Sequence, residues 1–202
     1  MAAWVVAYRH AAYDTPWWAS PSSRSGRFHR AITDTVQYLS LHPLGPAAEF
    51  LRHNIGPTGD PDHARLNLWA VRADVEGCVR VTFDDCLGLG ITADQLVGED
   101  YGPTQALAAR LRVNAVPGMI VPSAALSGTE NLVLFGPRVA HPYLAEPFSD
   151  VECPTGHLSD GAWAPAEVAA LVRWIGTPHS ALDRWKAGRR IVPFPEPLAT
   201  RW

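Results

Sequence analysis

Prolines and glycines interrupt this chain so often that it is restricted to short helices and strands. The 202 residues include 18 prolines and 16 glycines, which are many for this length. Proline has no backbone N–H to donate a hydrogen bond, and glycine has greater backbone conformational freedom than other residues. Both residue types therefore mark turns and the ends of helices and strands. The sequence therefore predicts short elements that are joined by substantial loops.

Between these breaks, alternating or β-branched runs predict strands, and apolar residues at helical spacing predict helices. The predicted strands cover residues 3–9, 35–41, 65–75, 78–83, 117–125 and 130–135. The predicted helices cover residues 47–54, 92–97, 103–113, 164–175 and 179–188, and a proline-rich tail follows them. Strands outnumber helices in the middle of the chain without regular βαβ alternation, which indicates the α+β class.

Composition and charge argue against several classes of protein. Apolar residues make up 47% of the chain, enough for a sizeable core, so a disordered protein is not expected. The net charge of -3 argues against direct nucleic-acid binding through a basic surface, although it leaves room for a local basic pocket. The first residues do not resemble a signal peptide, and no apolar run approaches the ~18 residues of a membrane span. We expect a soluble protein of the cytoplasm.

Cysteines and histidines give no recognisable metal-ligand spacing. Cys78, Cys86 and Cys153 are far apart and form no CxxC pair, so reduced and mostly buried thiols are expected. The eight histidines are scattered along the chain. His53 lies four residues after Glu49 and could be its partner on a helix surface. No metal ion is expected.

The segment 24–53, RSGRFHRAITDTVQYLSLHPLGPAAEFLRH, combines arginines, aromatic residues and one glutamate. Two interpretations are open. Arg27 could be a solvated loop arginine, Tyr38 a core residue, and Glu49 the partner of Arg52 in an exposed helical pair. The same side chains could instead form a pocket for a ligand that carries phosphate groups and a ring.

Five short motifs follow one another in a distinctive order. They are YRH at 8–10, SGRFH at 25–29, QYLSL at 37–41, AAEFLRH at 47–53 and IVPSAALSGTENLVLF at 120–135. Together they resemble the RES-domain family, which is named for its arginine, glutamate and serine, over roughly residues 5–135. Each motif is weakly specific, so their order and spacing carry the resemblance.

The resemblance assigns roles to the residues that match these motifs. The catalytic candidates are Glu49, Arg27 and Tyr38. The candidates for binding the ligand are Arg9, Arg27, Phe28, Tyr38, Ser123 and Asn131. His29 stands where the family often has an asparagine, and Arg24 and Arg30 receive no role.

The family includes toxins of bacterial toxin–antitoxin systems that degrade NAD+ by hydrolysis or phosphorolysis. The resemblance implies an α+β domain similar to ADP-ribosyltransferase toxins, with a central, mostly antiparallel twisted sheet and flanking helices. Residues 1–155 would form the catalytic domain, and residues 156–202 a helical extension packed on it. The implied partners are NAD as substrate, water or phosphate as acceptor, an Xre-type antitoxin and a second copy of the chain in a homodimer.

The chemistry of NAD+ suits these residue types. Arginine binds pyrophosphate through paired hydrogen bonds, and Tyr38, or Phe28 as second choice, can stack on the cationic nicotinamide. Cleavage of the nicotinamide–ribose bond builds positive charge on the ribose, which the Glu49 carboxylate can stabilise. Ser123 could bind a phosphate, a ribose hydroxyl or the nicotinamide amide. Two other functions stay open, namely ADP-ribosyl transfer to a protein or small molecule and a catalytically weak, regulatory NAD-binding module.

Overall fold

The computed structural model describes residues 4–11, 21–64, 66, 68–136, 145–147 and 165–195, and these residues contain a seven-stranded sheet. The strands are β1 (Trp4–His10), β2 (Val36–Ser40), β3 (Leu68–Asp74), β4 (Val79–Arg80), β5 (Gly118–Pro122), β6 (Glu130–Phe135) and β7 (Ala145–Pro147). Their order across the sheet is β4-β5-β6-β2-β1-β3-β7. Among these strands only β4 and β5 pair in parallel. The predicted α+β fold with a mostly antiparallel sheet is confirmed.

Helices flank this sheet. They are α1 (Gly45–Phe50), α2 (Ala93–Val97), α3 (Gly102–Val113), α4 (Pro165–Leu171) and α5 (Ser180–Lys186). A π-helical turn, Leu51–Ile55, continues α1 without a break, and a 3-10 turn covers Pro61–His63. Both α1 and α3 carry a proline in the first turn, where its missing N–H costs no hydrogen bond. In the described part of the chain, no helix is both long enough and apolar enough to cross a membrane.

The sheet is packed on both faces, because alternate residues of a strand point to opposite sides. Met119 of β5 lies in a buried cluster with Leu96 of α2, Leu107 of α3 and Leu182 of α5. Its neighbour Ile120 belongs to a separate cluster that is formed mainly by the strands. Full burial of one such side chain contributes about 1.5–3 kcal/mol, so these helices are firmly attached to the sheet.

A second helical layer surrounds α1. Leu44, Ala48 and Leu51 are buried in one cluster. The same cluster contains Val168, which is in α4, and Val172, which directly follows α4. This packing fixes α1 against the rest of the molecule. The position of α1 matters because Glu49, the candidate catalytic residue, lies near its end.

Two predicted strands end earlier in the structure, and side-chain hydrogen bonds explain both differences. β4 stops at Arg80 rather than at residue 83, since the Asp85 carboxylate accepts the backbone N–H of Thr82 at 2.7 Å and closes a turn. β5 stops at Pro122 rather than at residue 125, since the hydroxyl of Ser123 accepts two backbone N–H groups beyond it. Side chains of this type compete with the strand ladder for backbone donors.

Two further differences lie in the C-terminal half. β7, which pairs with β3, was not predicted, because a strand of three residues is too short to show an alternating pattern. The predicted helix 164–175 is shorter, since α4 ends at Leu171 and the N–H of Arg173 donates to the carbonyl of Ala125. The last predicted segment, the proline-rich tail, extends to residues 196–202, which lie outside the described residues.

Candidate active site

A cavity of about 450 Å³ opens between β1, β2, β6, α1 and the loop before β2. Its volume is within the range of small-molecule sites. Six of the seven residues that the sequence singled out line it: Arg9, Arg27, Phe28, Tyr38, Glu49 and Asn131. Segments far apart in the chain therefore bring cationic, aromatic and carboxylate groups to one place.

Arg27 is held by the end of α2. Its Nη1 donates to the carbonyls of Gly98 and, at 3.4 Å, Leu96, and its guanidinium carbon lies 4.8 Å from the centre of the Tyr101 ring. Burial lowers the pKa of Arg27. In the described part of the chain, Nε and Nη2 of Arg27 make no hydrogen bond. The side chain is thus fixed at one end and keeps donors for an anion.

Tyr38 is fixed through its hydroxyl by the loop that carries Arg27. The N–H of Phe28 donates to this hydroxyl at 3.0 Å, and Nδ1 of His29 lies 2.9 Å from it. Nε2 of His29 donates to the carbonyl of Arg24 at 2.9 Å, so in a neutral ring Nδ1 accepts the proton of Tyr38. Burial raises the pKa of Tyr38 above its ordinary range. The hydroxyl is occupied by the protein, which leaves the ring as the part that can contact a ligand.

Gly26 lets the chain pass this close to His29. A Cβ atom at position 26 would lie 2.4 Å from Cε1 of the His29 ring and 3.0 Å from the Tyr38 hydroxyl. The first distance is far below van der Waals contact and the second is also tight, so a side chain here would displace the ring that orients Tyr38. This is a physical reason for the glycine in the SGRFH motif, and it gives His29, which had no role, a structural one.

Glu49 is the carboxylate of the cavity, and two side chains hold it. Nδ2 of Asn131 donates to one carboxylate oxygen at 2.9 Å, and Nε2 of His53 lies 3.4 Å from the other. Burial opposes ionisation of Glu49 most strongly, but the hydrogen bonds and charge of His53 and Asn131 and the charge of Arg27 outweigh it. The pKa of Glu49 is therefore lowered, and the group is ionised at neutral pH.

The helical pair between Glu49 and Arg52 does not form. The π-helical turn brings His53 to Glu49, while Arg52 points to Glu99, with Nη2 2.5 Å from its carboxylate. Arg173 also reaches Glu99, at 3.3 Å. The interpretation of Glu49 as the partner of Arg52 was wrong, because a third residue, distant in sequence, competes for the arginine.

Ser123 lies apart from the other candidates. It is fully buried and is not among the residues that line the cavity, although its neighbours Pro122 and Ala124 are. Its hydroxyl accepts the N–H groups of Ala125 at 3.3 Å and Leu126 at 3.1 Å, which closes the turn after β5. The geometry gives this serine a part in shaping the cavity wall rather than a place on its surface.

Several cavity residues received no role from the sequence. Tyr101, which covers Arg27, is an isolated tyrosine before α3. Phe50 and His10 meet edge to face at 5.2 Å and form another part of the wall. Arg24, which had no assigned role, also lines the cavity, whereas Arg30 is exposed and does not. Only the fold brings these residues together.

Within the described ranges, no group of three or more histidine, cysteine, aspartate or glutamate residues could hold a metal ion.

A family model and two known proteins are similar to this chain. The model of the RES domain matches residues 3–156. A protein named probable NAD(+) phosphorylase, from Mycobacterium tuberculosis, is 31% identical over 117 residues, which are 58% of this chain and 56% of the relative. The chain thus spans about half the length of this curated relative.

A solved structure has the same fold. A chain in the crystal structure of the M. tuberculosis MbcT–MbcA toxin–antitoxin complex superimposes with a TM-score of 0.62. The match covers 84% of this chain and 90% of that chain, at 17% sequence identity. Identity this low supports a common fold and carries no conclusion about activity.

Proposed function

The chain belongs to the RES-domain family, and we propose that it is a toxin that degrades NAD+ by cleaving the nicotinamide–ribose bond. One observation carries the proposal: an ionised carboxylate, Glu49, lies in the same cavity as Arg27 and the ring of Tyr38. The NAD(+) phosphorylase name of the relative supports the same reaction, although the match covers about half of its length.

In the proposed reaction the bond between the ribose carbon and the nicotinamide nitrogen breaks, and nicotinamide leaves with the electron pair as a neutral molecule. Positive charge develops on the ribose, as in glycoside hydrolysis. The carboxylate of Glu49 stabilises this charge, and Asn131 and His53 fix its orientation. An anionic oxygen of phosphate then bonds to the ribose carbon, giving ADP-ribose 1″-phosphate, or an oxygen of water does so and releases one proton to solvent, giving ADP-ribose.

The other cavity residues bind and orient the substrate. Arg27, with Nε and Nη2 available, and Arg9 bind the pyrophosphate. The ring of Tyr38 stacks on nicotinamide, and it suits this role better than Phe28, which is only 2% exposed. Ser123 acts indirectly, since the turn it closes carries Pro122 and Ala124 of the wall.

The wider biological setting follows from the same proposal. We infer that an antitoxin neutralises the chain in the cytoplasm, because the chain of similar fold was crystallised in a toxin–antitoxin complex. An Xre-type antitoxin and a homodimer are the specific forms that the family resemblance implies. The helices α4 and α5 contribute Val168 and Leu182 to buried clusters, which supports a C-terminal extension packed on the catalytic domain.

The direct test is release of nicotinamide from NAD+ by purified protein, in buffers with and without inorganic phosphate. Mass spectrometry of the second product separates ADP-ribose from its phosphate ester and from an ADP-ribosylated acceptor. We expect free nicotinamide and an equal amount of ADP-ribose or its 1″-phosphate. Intact NAD+ in both buffers would exclude the proposed reaction.

A further inference from the structure

The loop that carries Arg27 is a tight turn whose carbonyls are bound by a single helix. Within the turn, the N–H of Gly26 donates to the carbonyl of His29 at 3.1 Å. The side-chain amide of Gln105, in α3, donates to both ends of the turn, at 2.9 Å to the Gly26 carbonyl and at 3.1 Å to the His29 carbonyl. Gln105 thus joins the two ends of the turn.

The two carbonyls in the middle of the turn are bound by the same helix. The hydroxyl of Thr104 donates to the carbonyl of Arg27 at 2.6 Å, and Nη1 of Arg112 donates to the carbonyl of Phe28 at 3.1 Å. Arg112 also forms a salt bridge with Asp34 at 3.0 Å, so it contacts both this turn and the chain that follows it. All four carbonyls of the turn therefore accept hydrogen bonds from α3.

This arrangement fixes the direction of the peptide dipoles. In a trans peptide, the carbonyl and the N–H of the next residue point in opposite directions. Because the Gly26 carbonyl points to Gln105, the N–H of Arg27 points away from it, and in the described part of the chain this N–H makes no hydrogen bond. The N–H of Phe28 donates to the Tyr38 hydroxyl and that of His29 to the Gly26 carbonyl, so within the turn the N–H of Arg27 is the backbone donor that is left for an anion.

We propose that Gln105 is a positioning residue for substrate binding, which acts through the Gly26–His29 turn on the anion donors of Arg27. The proposal rests on the proposed function and extends it to a residue outside the cavity lining. Without this amide, the outer carbonyls are held only by the two hydrogen bonds within the turn, at 3.1 and 3.4 Å, so the turn can shift and move the donors of Arg27 away from the pyrophosphate. The pyrophosphate is remote from the bond that breaks, so the same contact is made before and during the reaction, and its loss affects KM rather than kcat.

The test is the variant Gln105→Leu, measured by steady-state kinetics with NAD+ and by calorimetric titration with ADP-ribose. We expect KM for NAD+ and Kd for ADP-ribose to rise about tenfold, the effect of a lost hydrogen bond near a charged group, with kcat within about twofold of the wild type. A purely structural role would lower the fraction of folded enzyme, and hence apparent kcat, and leave KM unchanged.

Two further variants make the test specific. Thr104→Val removes a second contact with the turn and keeps the side-chain shape, so it should raise KM for NAD+ in the same way. If Gln105→Leu does not fold, the KM of Thr104→Val tests the role of the turn contacts. Arg110→Met is the control, because Arg110 is also in α3 and donates to a different loop, at the carbonyl of Leu89. Its KM should match that of the wild type.

The outcomes separate the two proposals. Unchanged KM and Kd in a folded Gln105→Leu or Thr104→Val protein, with a wild type that binds NAD+, overturn the role of the turn contacts alone. A similar rise of KM in Arg110→Met also overturns it, because the effect would then belong to the helix in general. A wild-type protein that neither binds nor cleaves NAD+ overturns the proposed function and this inference with it.

Discussion

Glu49 and Glu99 are equally exposed carboxylates in very different surroundings. Their side chains are 32% and 34% exposed, and both are near arginines. Glu99 is paired with two guanidinium groups, of Arg52 and Arg173, which neutralise it. Glu49 is held by the neutral amide of Asn131 and the imidazole of His53 instead.

The difference indicates which carboxylate can act on a substrate. A carboxylate between two arginines has its charge compensated by the protein and contributes to the structure. A carboxylate that is held by an amide and an imidazole, and not by two guanidinium groups, keeps negative charge for a cation that develops beside it. Exposure alone does not distinguish the two groups, but their partners do.

Exchange of each carboxylate for an amide gives the largest expected contrast. Glu49→Gln should lower kcat for NAD+ cleavage by at least ~10²-fold, since an amide cannot compensate positive charge on the ribose. Glu99→Gln should keep kcat within about fivefold of the wild type once the folded fraction is taken into account. Steady-state rates of nicotinamide release measure both. Equal losses in the two variants would contradict the distinction between the carboxylates.

The free energy of unfolding should be affected more by Glu99→Gln than by Glu49→Gln, the reverse of the effect on kcat. Glu99→Gln should lower the free energy of unfolding by about 2 kcal/mol, because the fully buried Arg52 loses the charge that compensates it. Glu49→Gln should change it by less than about 1 kcal/mol, since glutamine still accepts the hydrogen bond of Asn131. Urea denaturation of both variants gives the comparison, and a more damaging change at Glu49 would reverse our assignment.

A smaller effect is expected on the pH dependence. Activity requires ionised Glu49, so it is present above the pKa of Glu49 in the folded protein and is lost as pH falls through it. Burial raises this pKa, and His53 is a main cause of its being lowered. His53→Gln should therefore move the acid limb of the kcat/KM profile to higher pH. An acid limb at the wild-type position would exclude His53 as a determinant of the charge on Glu49.

The sequence was informative where the signal is local. Runs of strand-forming residues predicted β2 and β6 closely, and proline at the start of a helical pattern predicted α3. The five motifs together supplied most residues of the cavity, because the chemistry of each residue type restricts what it can bind.

Pairing between distant residues could not be predicted in this way. Arg52 is three residues from Glu49, yet it pairs with Glu99, 47 positions away. Ser123 belongs to a motif but caps a turn, since its hydroxyl is closer to backbone donors than to the cavity. Gln105 contacts the Gly26–His29 turn only because α3 packs beside it. Each of these outcomes depends on competition between partners that the fold brings together.

The most direct test of the role of Glu49 is a calorimetric titration of the Glu49→Gln protein with NAD+, followed by analysis of the NAD+ that remains. Our account predicts that the variant binds NAD+ with a Kd within about fivefold of the wild-type KM and leaves it almost uncleaved, because Arg27 and Tyr38 bind and Glu49 stabilises the charge. Cleavage at the wild-type rate, or loss of binding together with cleavage in a folded protein, would contradict it.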